Sequence, residues 1–136
     1  MTQPLSFLDR VQGALFGIFI GDALAMPVHW YYDTEALHRD YGEVSHYLPP
    51  RNPHPDSILW RSSYDAPSDA TDILHEQAQY WGRKGVHYHQ FLRAGENTLN
   101  VKIARELLLY LQQNRSYNAE SWLGRMVDFL TTKGNH

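Results

Sequence analysis

Cysteine is absent from this 136-residue sequence, so the chain can form no disulfide, no zinc–thiolate site and no thiol nucleophile. Charge is sparse as well, with 20% charged residues and a formal net charge of −3. A basic surface of the kind that binds nucleic acid is therefore not expected. The sequence does have 43% hydrophobic and 13% aromatic residues. That is enough apolar surface for one packed domain over residues 1–136.

A long run of purely apolar residues is also missing. The most apolar stretch, Gly13 to Met26, is interrupted by Asp22 and followed by Pro27. A membrane span needs about 20 apolar residues, so this stretch predicts a buried helix and no membrane association. The N-terminus lacks the basic region of a secretory signal, and we therefore expect a cytoplasmic protein.

Helix signals are frequent, whereas no strand-like alternation occurs, and together they predict an all-α fold. Ser6, with Asp9 three residues later, is typical of a capping box before a first helix. Five of the seven prolines fall between residues 49 and 67, so residues 43–68 are predicted to form a long irregular loop. The remaining predicted helices are a short one capped by Asp33 and stopped by Gly42, a third capped by Asp69 and ended by Gly82, a fourth over 98–113, and a fifth capped by Asn118.

Glycines recur every four residues on one side of the first helix, at Gly13, Gly17 and Gly21. Each of them weakens a helix by about 1 kcal/mol relative to alanine. We therefore expect another backbone to pack closely on that side. A frayed or kinked helix would have the same sequence signature.

An acid and a histidine follow the glycine-rich segment. Asp22 stands near the end of the helix, and His29 comes seven residues later, beside Trp30. A carboxylate in such an apolar setting needs solvent, a hydrogen-bond donor or a metal as its partner. Asp22 is thus a candidate catalytic residue, or a group that ties down a neighbouring backbone. His29 is a candidate base, or a histidine that serves packing.

A second polar segment, Gly95-Glu96-Asn97-Thr98, stands directly before the fourth predicted helix. Carboxylate, amide and hydroxyl oxygens are ligands that suit magnesium. The backbone N–H groups at a helix start also favour an anionic ligand such as phosphate. The alternative is that Asn97 or Thr98 is simply the helix cap.

Two further polar clusters are predicted to have a structural role and not to bind a metal ion. The segment Asp69-Ala70-Thr71-Asp72 carries several oxygen ligands, but its Pro-Ser lead-in is typical of a helix start. The pair His87 and His89 lacks the other ligands that a zinc site requires. Neither a nucleophile elbow nor a P-loop or dinucleotide fingerprint is present.

The segment from residue 10 to residue 28 resembles the start of the ADP-ribosylglycohydrolase family. It has the glycine-rich helix of that family, followed by Gly-Asp-Ala-Leu-Ala-Met-Pro-Val at residues 21–28. Residues 26–33 and 88–100 are similar to one branch, the J-type crystallins and their relatives. The resemblance covers nearly the whole chain but only the N-terminal part of the family's domain. Since the sequence also stops in a polar segment, we expect a truncated domain.

The resemblance implies an all-α domain with two magnesium ions, which bind ADP-ribose and activate a water molecule. The family's first metal-ligand motif, Thr-Asp-Asp-Thr, falls at residues 95–98 here, which makes Glu96, Asn97 and Thr98 the candidate metal ligands. Asp22 and His29 are the candidate catalytic residues, and His29 replaces an acid of the family. The second ligand set of the family has no counterpart before His136. We therefore expect little metal-assisted hydrolysis from these 136 residues.

Two functions follow as expectations. In the first, the full-length parent binds ADP-ribose or an ADP-ribosylated protein and hydrolyses the ADP-ribosyl glycosidic bond. In the second, the protein is a catalytically inactive, crystallin-like protein with a structural or ADP-ribose-binding role. A helical interaction module with an exposed apolar patch is a third alternative.

Overall fold

The computed structural model describes residues 4–135, and these contain four α-helices and no strand, which confirms the all-α class. The α-helices are α1 (Phe7–Ala25), α2 (Thr34–Asp40), α3 (Leu99–Asn114) and α4 (Ala119–Thr131). Short 3₁₀ segments lie at Met26–Val28, Leu59–Arg61, Asp69–Thr71 and His75–Tyr80.

The helix starts follow local hydrogen bonds that the sequence predicted. Ser6 and Asp9 form the capping box of α1, in which each side chain accepts the other residue's backbone N–H at 3.1 Å. Asp33 accepts two N–H groups of the first turn of α2, both at 3.0 Å. Asn118 accepts the N–H of Ser121 in α4 at 2.9 Å. The predicted caps of these three helices are therefore confirmed.

The helix predicted to start at Asp69 is wrong. The chain there forms two separate 3₁₀ turns, Asp69–Thr71 and His75–Tyr80. Between them, the Asp72 carboxylate accepts two following backbone N–H groups at 2.9 and 3.0 Å and the Tyr64 hydroxyl at 2.9 Å. Such bonds from a side chain to the nearby backbone compete with the hydrogen-bond ladder of a helix.

The predicted cap, Asp69, is also wrong, because the N-cap residue of the first of these turns is Ser68. The backbone N–H of Ser68 donates to the Thr71 hydroxyl at 3.2 Å, and the two hydroxyl oxygens lie 3.1 Å apart. The Pro-Ser lead-in therefore marks the start of a single turn, with its cap one residue earlier than expected.

Helix α1 is largely exposed, so the prediction that it is buried is wrong for most of its length. Phe7, Phe16 and Ile18 keep 77%, 66% and 54% of their surface exposed. The physical reason is that α1 packs mainly on α3 and on the turn that follows it. By length and composition alone, Phe7–Val28 is long and apolar enough to cross a membrane, and 17% of its most apolar stretch is buried. Core helices of soluble proteins and signal sequences meet the same criterion.

The glycines of α1 form a bare strip. Nothing lies within 4 Å of the Cβ atom that an alanine would add at Gly13, Gly17 or Gly21. The expected close approach of another backbone is therefore wrong within residues 4–135. The helix does not break at these glycines either, since α1 is continuous from Phe7 to Ala25.

The buried core lies around the C-terminal end of α1. Its largest fully buried side chains are those of Met26, Pro27, Leu59, His54 and His87. A buried polar group is costly unless it is hydrogen-bonded. The two buried histidines are therefore expected to be held by hydrogen bonds.

Candidate functional site

Helices α1 and α3 are joined through the carboxylate of Asp22. It accepts the Thr98 backbone N–H and the Thr98 hydroxyl, both at 2.7 Å, and the Asn97 amide at 3.0 Å. The Asn97 amide also donates to the carbonyl of Phe19 at 2.7 Å. Thr98 is the N-cap residue of α3, yet its own side chain makes no capping bond. Asp22 therefore supplies the cap of α3 from a different helix.

Glu96, another predicted metal ligand, is engaged within its own loop. Its carboxylate accepts the backbone N–H of Arg93 at 2.7 Å, and its backbone N–H donates to the Arg93 carbonyl at 3.0 Å. Gly95 completes this turn with φ at +86°, a conformation that glycine adopts without a steric cost. The structure thus brings Asp22, Asn97 and Thr98 together and holds the Glu96 carboxylate in a separate set of bonds.

His29 is paired with His89, a residue outside the predicted site. Nδ1 of His29 lies 2.9 Å from Nε2 of His89, and the ring centroids are 5.1 Å apart. At this distance one imidazole donates its N–H to the other. The two residues are 60 positions apart. The sequence signal that could have found it is the His87-Tyr88-His89 segment, whose two histidines do not suffice for a zinc site.

Buried His87 anchors one side of this pair. Its Nδ1 accepts the backbone N–H of His89 at 3.0 Å, so the ring proton lies on Nε2 and is donated to the carbonyl of Pro27 at 2.9 Å. Burial is the main cause that lowers the pKa of His87 to about 4; the bond to Pro27 acts against it, and the nearby His54 and His29 act with it. His87 is therefore neutral at neutral pH and holds the backbone of His89.

Buried His54 anchors the other side in the same way. Its Nδ1 accepts the backbone N–H of Asp56 at 3.1 Å, and its Nε2 donates to the carbonyl of His29 at 3.1 Å. The ring of Tyr31 packs against it, with centroids 4.3 Å apart. Each of the paired histidines is thus held through its backbone by a histidine of fixed tautomer.

The environment of His89 also favours its neutral form. Burial lowers the pKa of His89 to about 4, and His29 and His87 act in the same direction. Asp22 opposes this effect because its negative charge favours a protonated ring. At neutral pH the His89 ring is therefore an uncharged imidazole that has both a donor and an acceptor nitrogen.

The histidine pair lines a cleft of about 400 Å³ at the start of α3. Trp30 stands between two tyrosine rings on its wall, with centroid distances of 6.3 Å to Tyr32 and 6.2 Å to Tyr88. The first N–H groups of a helix have no partner within that helix, and together with the helix dipole they favour an anion. The other residues that line the cleft are Thr98, Leu99 and Asn100.

The donors beside α3 do not fit a divalent cation as they lie. Asp22 already accepts three hydrogen bonds, and Asn97 directs its N–H groups at Asp22 and at a carbonyl. Glu96 is bonded to the backbone of Arg93. Across residues 4–135, no group of three or more His, Asp or Glu side chains could hold a metal ion. The assignment of Glu96, Asn97 and Thr98 as metal ligands stays a prediction.

The described residues thus combine an all-α fold with an aromatic-lined cleft at the N-terminus of α3. This chain belongs to the ADP-ribosylglycohydrolase family, whose family model matches residues 3–133. That family is generally metal-dependent and acts on ADP-ribosylated substrates. No curated protein and no solved structure matches the chain. The family resemblance is thereby confirmed, whereas the crystallin-like branch stays a prediction.

Proposed function

We propose that the cleft at the start of α3 binds the ADP-ribosyl group of an ADP-ribosylated molecule, and that the full-length parent hydrolyses the glycosidic bond of that group. The observation that carries the proposal is the position of the cleft. It lies between the N-terminus of α3 and a wall of aromatic rings, in a chain that belongs to this family.

The two parts of the cleft suit the two parts of such a ligand. The N–H groups of Leu99 and Asn100, in the first turn of α3, would face a diphosphate, since anions are stabilised at helix N-termini. Trp30 and Tyr88, both exposed, would stack on a flat base or cover a sugar. The capping bonds of Asp22 fix the position of α3 relative to this wall.

The candidate catalytic residues take different roles in this proposal. His29 lines the cleft and is a base able to accept a proton from water. Asp22 is a positioning residue, because its oxygens are engaged with Asn97 and Thr98. Magnesium, which the family resemblance implies, would take its ligands from residues 96–98. The present hydrogen bonds of those side chains do not favour it.

A second candidate function is that of a catalytically inactive protein, which either binds ADP-ribose without hydrolysis or has a crystallin-like structural role. The engagement of Asp22 and Glu96 in hydrogen bonds favours it, because carboxylates held by N–H donors have less charge to offer a cation. In this alternative the cleft and its aromatic wall are retained, and only the hydrolytic step is lost.

Isothermal titration with ADP-ribose tests the binding step, and Trp30→Ala is the informative variant. Trp60→Ala is its control, because Trp30 and Trp60 are 40% and 43% exposed and only Trp30 lines the cleft. We expect a loss of affinity of about 10-fold for Trp30→Ala, since a base stacked on an aromatic side chain contributes about 1–3 kcal/mol. No heat with the unaltered chain, or equal loss in both variants, would overturn the proposal.

Release of ADP-ribose from a modified protein, with and without magnesium, then separates the two candidate functions. Release from this chain or its longer parent supports the hydrolase. Binding without release from either supports the non-catalytic protein.

A further inference from the structure

We propose that His29 and His89 form a two-histidine proton relay, which takes a proton from water at one end and delivers a proton to the leaving group at the other. This proposal rests on the proposed function, since the leaving group is the one released from an ADP-ribosyl substrate. It assigns a second histidine to the cleft, and it lets imidazoles perform the acid–base chemistry without a carboxylate.

The two neighbouring histidines cannot take part in the relay. Nδ1 of His54 and Nδ1 of His87 each accept a backbone N–H, at 3.1 and 3.0 Å. Each Nε2 donates to a backbone carbonyl, at 3.1 and 2.9 Å. Moving a proton onto either Nδ1 would break one of these bonds inside the buried core. Tautomer change in the cluster is therefore confined to His29 and His89.

The hydrogen bond between His29 and His89 has two arrangements of protons. In the first, Nδ1–H of His29 donates to Nε2 of His89, so Nε2 of His29 is bare and Nδ1 of His89 carries the second proton. In the second, Nε2–H of His89 donates to Nδ1 of His29, and the outer nitrogens exchange roles. A neutral pair thus always offers one base and one acid on its outer nitrogens.

Hydrolysis converts the first arrangement into the second. The water oxygen forms a bond to the anomeric carbon and gives one proton to Nε2 of His29. The proton on Nδ1 of His29 moves to Nε2 of His89, and the proton on Nδ1 of His89 moves to the leaving atom as its bond to the anomeric carbon breaks. Two protons are thus exchanged with the pair and one moves within it, so its net charge is unchanged. Exchange with solvent restores the first arrangement.

The surroundings hold the pair in a fixed geometry. Backbone bonds from His54 and His87 fix both residues, and the ring of Tyr88 contacts His89 edge-on with centroids 5.2 Å apart. Both imidazoles line the same cleft. A relay needs reacting nitrogens at hydrogen-bond distance before the substrate arrives, and 2.9 Å satisfies this condition.

Nitrogen NMR of the chain labelled at histidine tests the pair without any substrate. We expect a coupling across the hydrogen bond between Nδ1 of His29 and Nε2 of His89, and equal tautomer fractions in the two rings. His89→Gln should shift the tautomer fraction of His29, whereas His46→Gln, at an exposed loop position, should not. No coupling, together with an unshifted His29 in His89→Gln, would overturn the proposal.

A second measurement tests the relay during reaction. His89→Gln should retain ADP-ribose binding and lose about 100-fold or more in the rate of ADP-ribose release, with His29→Gln as the partner variant. An unchanged rate in His89→Gln, or binding without release by the unaltered chain and its parent, overturns the relay and leaves the binding site standing. Absence of ADP-ribose binding overturns the proposed function instead, whatever the NMR result.

Discussion

The C-terminal end of α1 is tightly packed, whereas its N-terminal half is nearly bare. Near the end, Asp22 makes three hydrogen bonds, and Ala23 and Met26 are 3% and 0% exposed. In the N-terminal half, Phe7 and Phe16 are 77% and 66% exposed, and nothing lies within 4 Å of the Cβ atom that an alanine would add at Gly13. Large apolar residues occur in both parts of the helix, so hydrophobicity alone does not decide which part is packed.

The polar residues make the difference between the two regions. One carboxylate joins the end of α1 to the start of α3 across 76 positions of sequence, and Thr98, which it holds, is 2% exposed. The histidine cluster lies on the same side of the molecule, next to Pro27. The stability of this region therefore depends on hydrogen bonds between specific buried groups, and substitutions can measure them.

Asp22→Ala should have the largest effect. It leaves the backbone N–H and the hydroxyl of buried Thr98 without an acceptor, and unsatisfied buried groups cost about 1–3 kcal/mol each. We expect the free energy of unfolding to fall by about 3 kcal/mol, measured by urea denaturation. Phe16→Ala, in the bare half, should cost less than about 1 kcal/mol because little surface is lost from packing. The reverse order of the two variants would contradict this contrast.

Acidification should selectively weaken the histidine region. Folding lowers the pKa values of His87 and His89 from 6.5 to about 4, so between these values the unfolded chain binds more protons than the folded one. The stabilisation is fully present above pH 6.5 and is lost as the pH falls towards 4. Over this window we expect the free energy of unfolding to fall steadily, by a few kcal/mol in all.

Urea denaturation at a series of pH values measures this slope. His87→Gln should flatten it, because one of the two titrating groups is removed, and His46→Gln should leave it unchanged, because His46 is exposed. A slope that survives in His87→Gln at full size would assign the effect to other groups.

Asn97→Asp tests the effect of a second negative charge beside Asp22, where α1 and α3 meet. A carboxylate would replace the amide that now donates to Asp22 at 3.0 Å, and two like charges would meet. We expect a loss of about 1 kcal/mol in the free energy of unfolding without divalent cations. Magnesium should restore part of it, because a cation between two carboxylates relieves their repulsion.

Asn100→Asp is the matched control for Asn97→Asp. It adds the same charge on the first turn of α3 and lines the same cleft, but it has no bond to Asp22. Thermal unfolding with and without magnesium distinguishes the two variants. An equal response to magnesium in the unaltered chain would show that its present donors already accept the cation.

Local hydrogen bonds explain which parts of the fold could be predicted. The caps Ser6, Asp33 and Asn118 act on N–H groups two or three residues away, so their sequence signals are sufficient. The helix expected at Asp69 failed for an equally local reason, since Asp72 takes two N–H groups that a helix needs. That competition between a short polar side chain and the helix ladder is known, but its outcome is not fixed by the sequence pattern.

The site depends on contacts that sequence spacing does not reveal. The sequence predicts Asp22 and Thr98 as site residues, but the bond between them spans 76 positions. It offers no zinc site at His89, and the bond of His89 to His29 spans 60 positions. The family resemblance placed the relevant segments in one domain. Only the path of the chain shows that the Asn97 amide and the Thr98 hydroxyl meet Asp22.

Gly17→Ala should have the smallest effect, and an opposite sign. Nothing lies within 4 Å of the added Cβ atom, and alanine favours the helix over glycine. We expect the free energy of unfolding to rise by about 0.5 kcal/mol. Gly95→Ala is the contrasting variant at the packed region, where φ is +86° and the Tyr47 ring lies 3.6 Å from the added atom. It should be destabilised because alanine rarely adopts that conformation. A loss of stability in Gly17→Ala would mean that the bare strip of α1 is covered in solution, and the contrast between this strip and the packed end of the helix would then disappear.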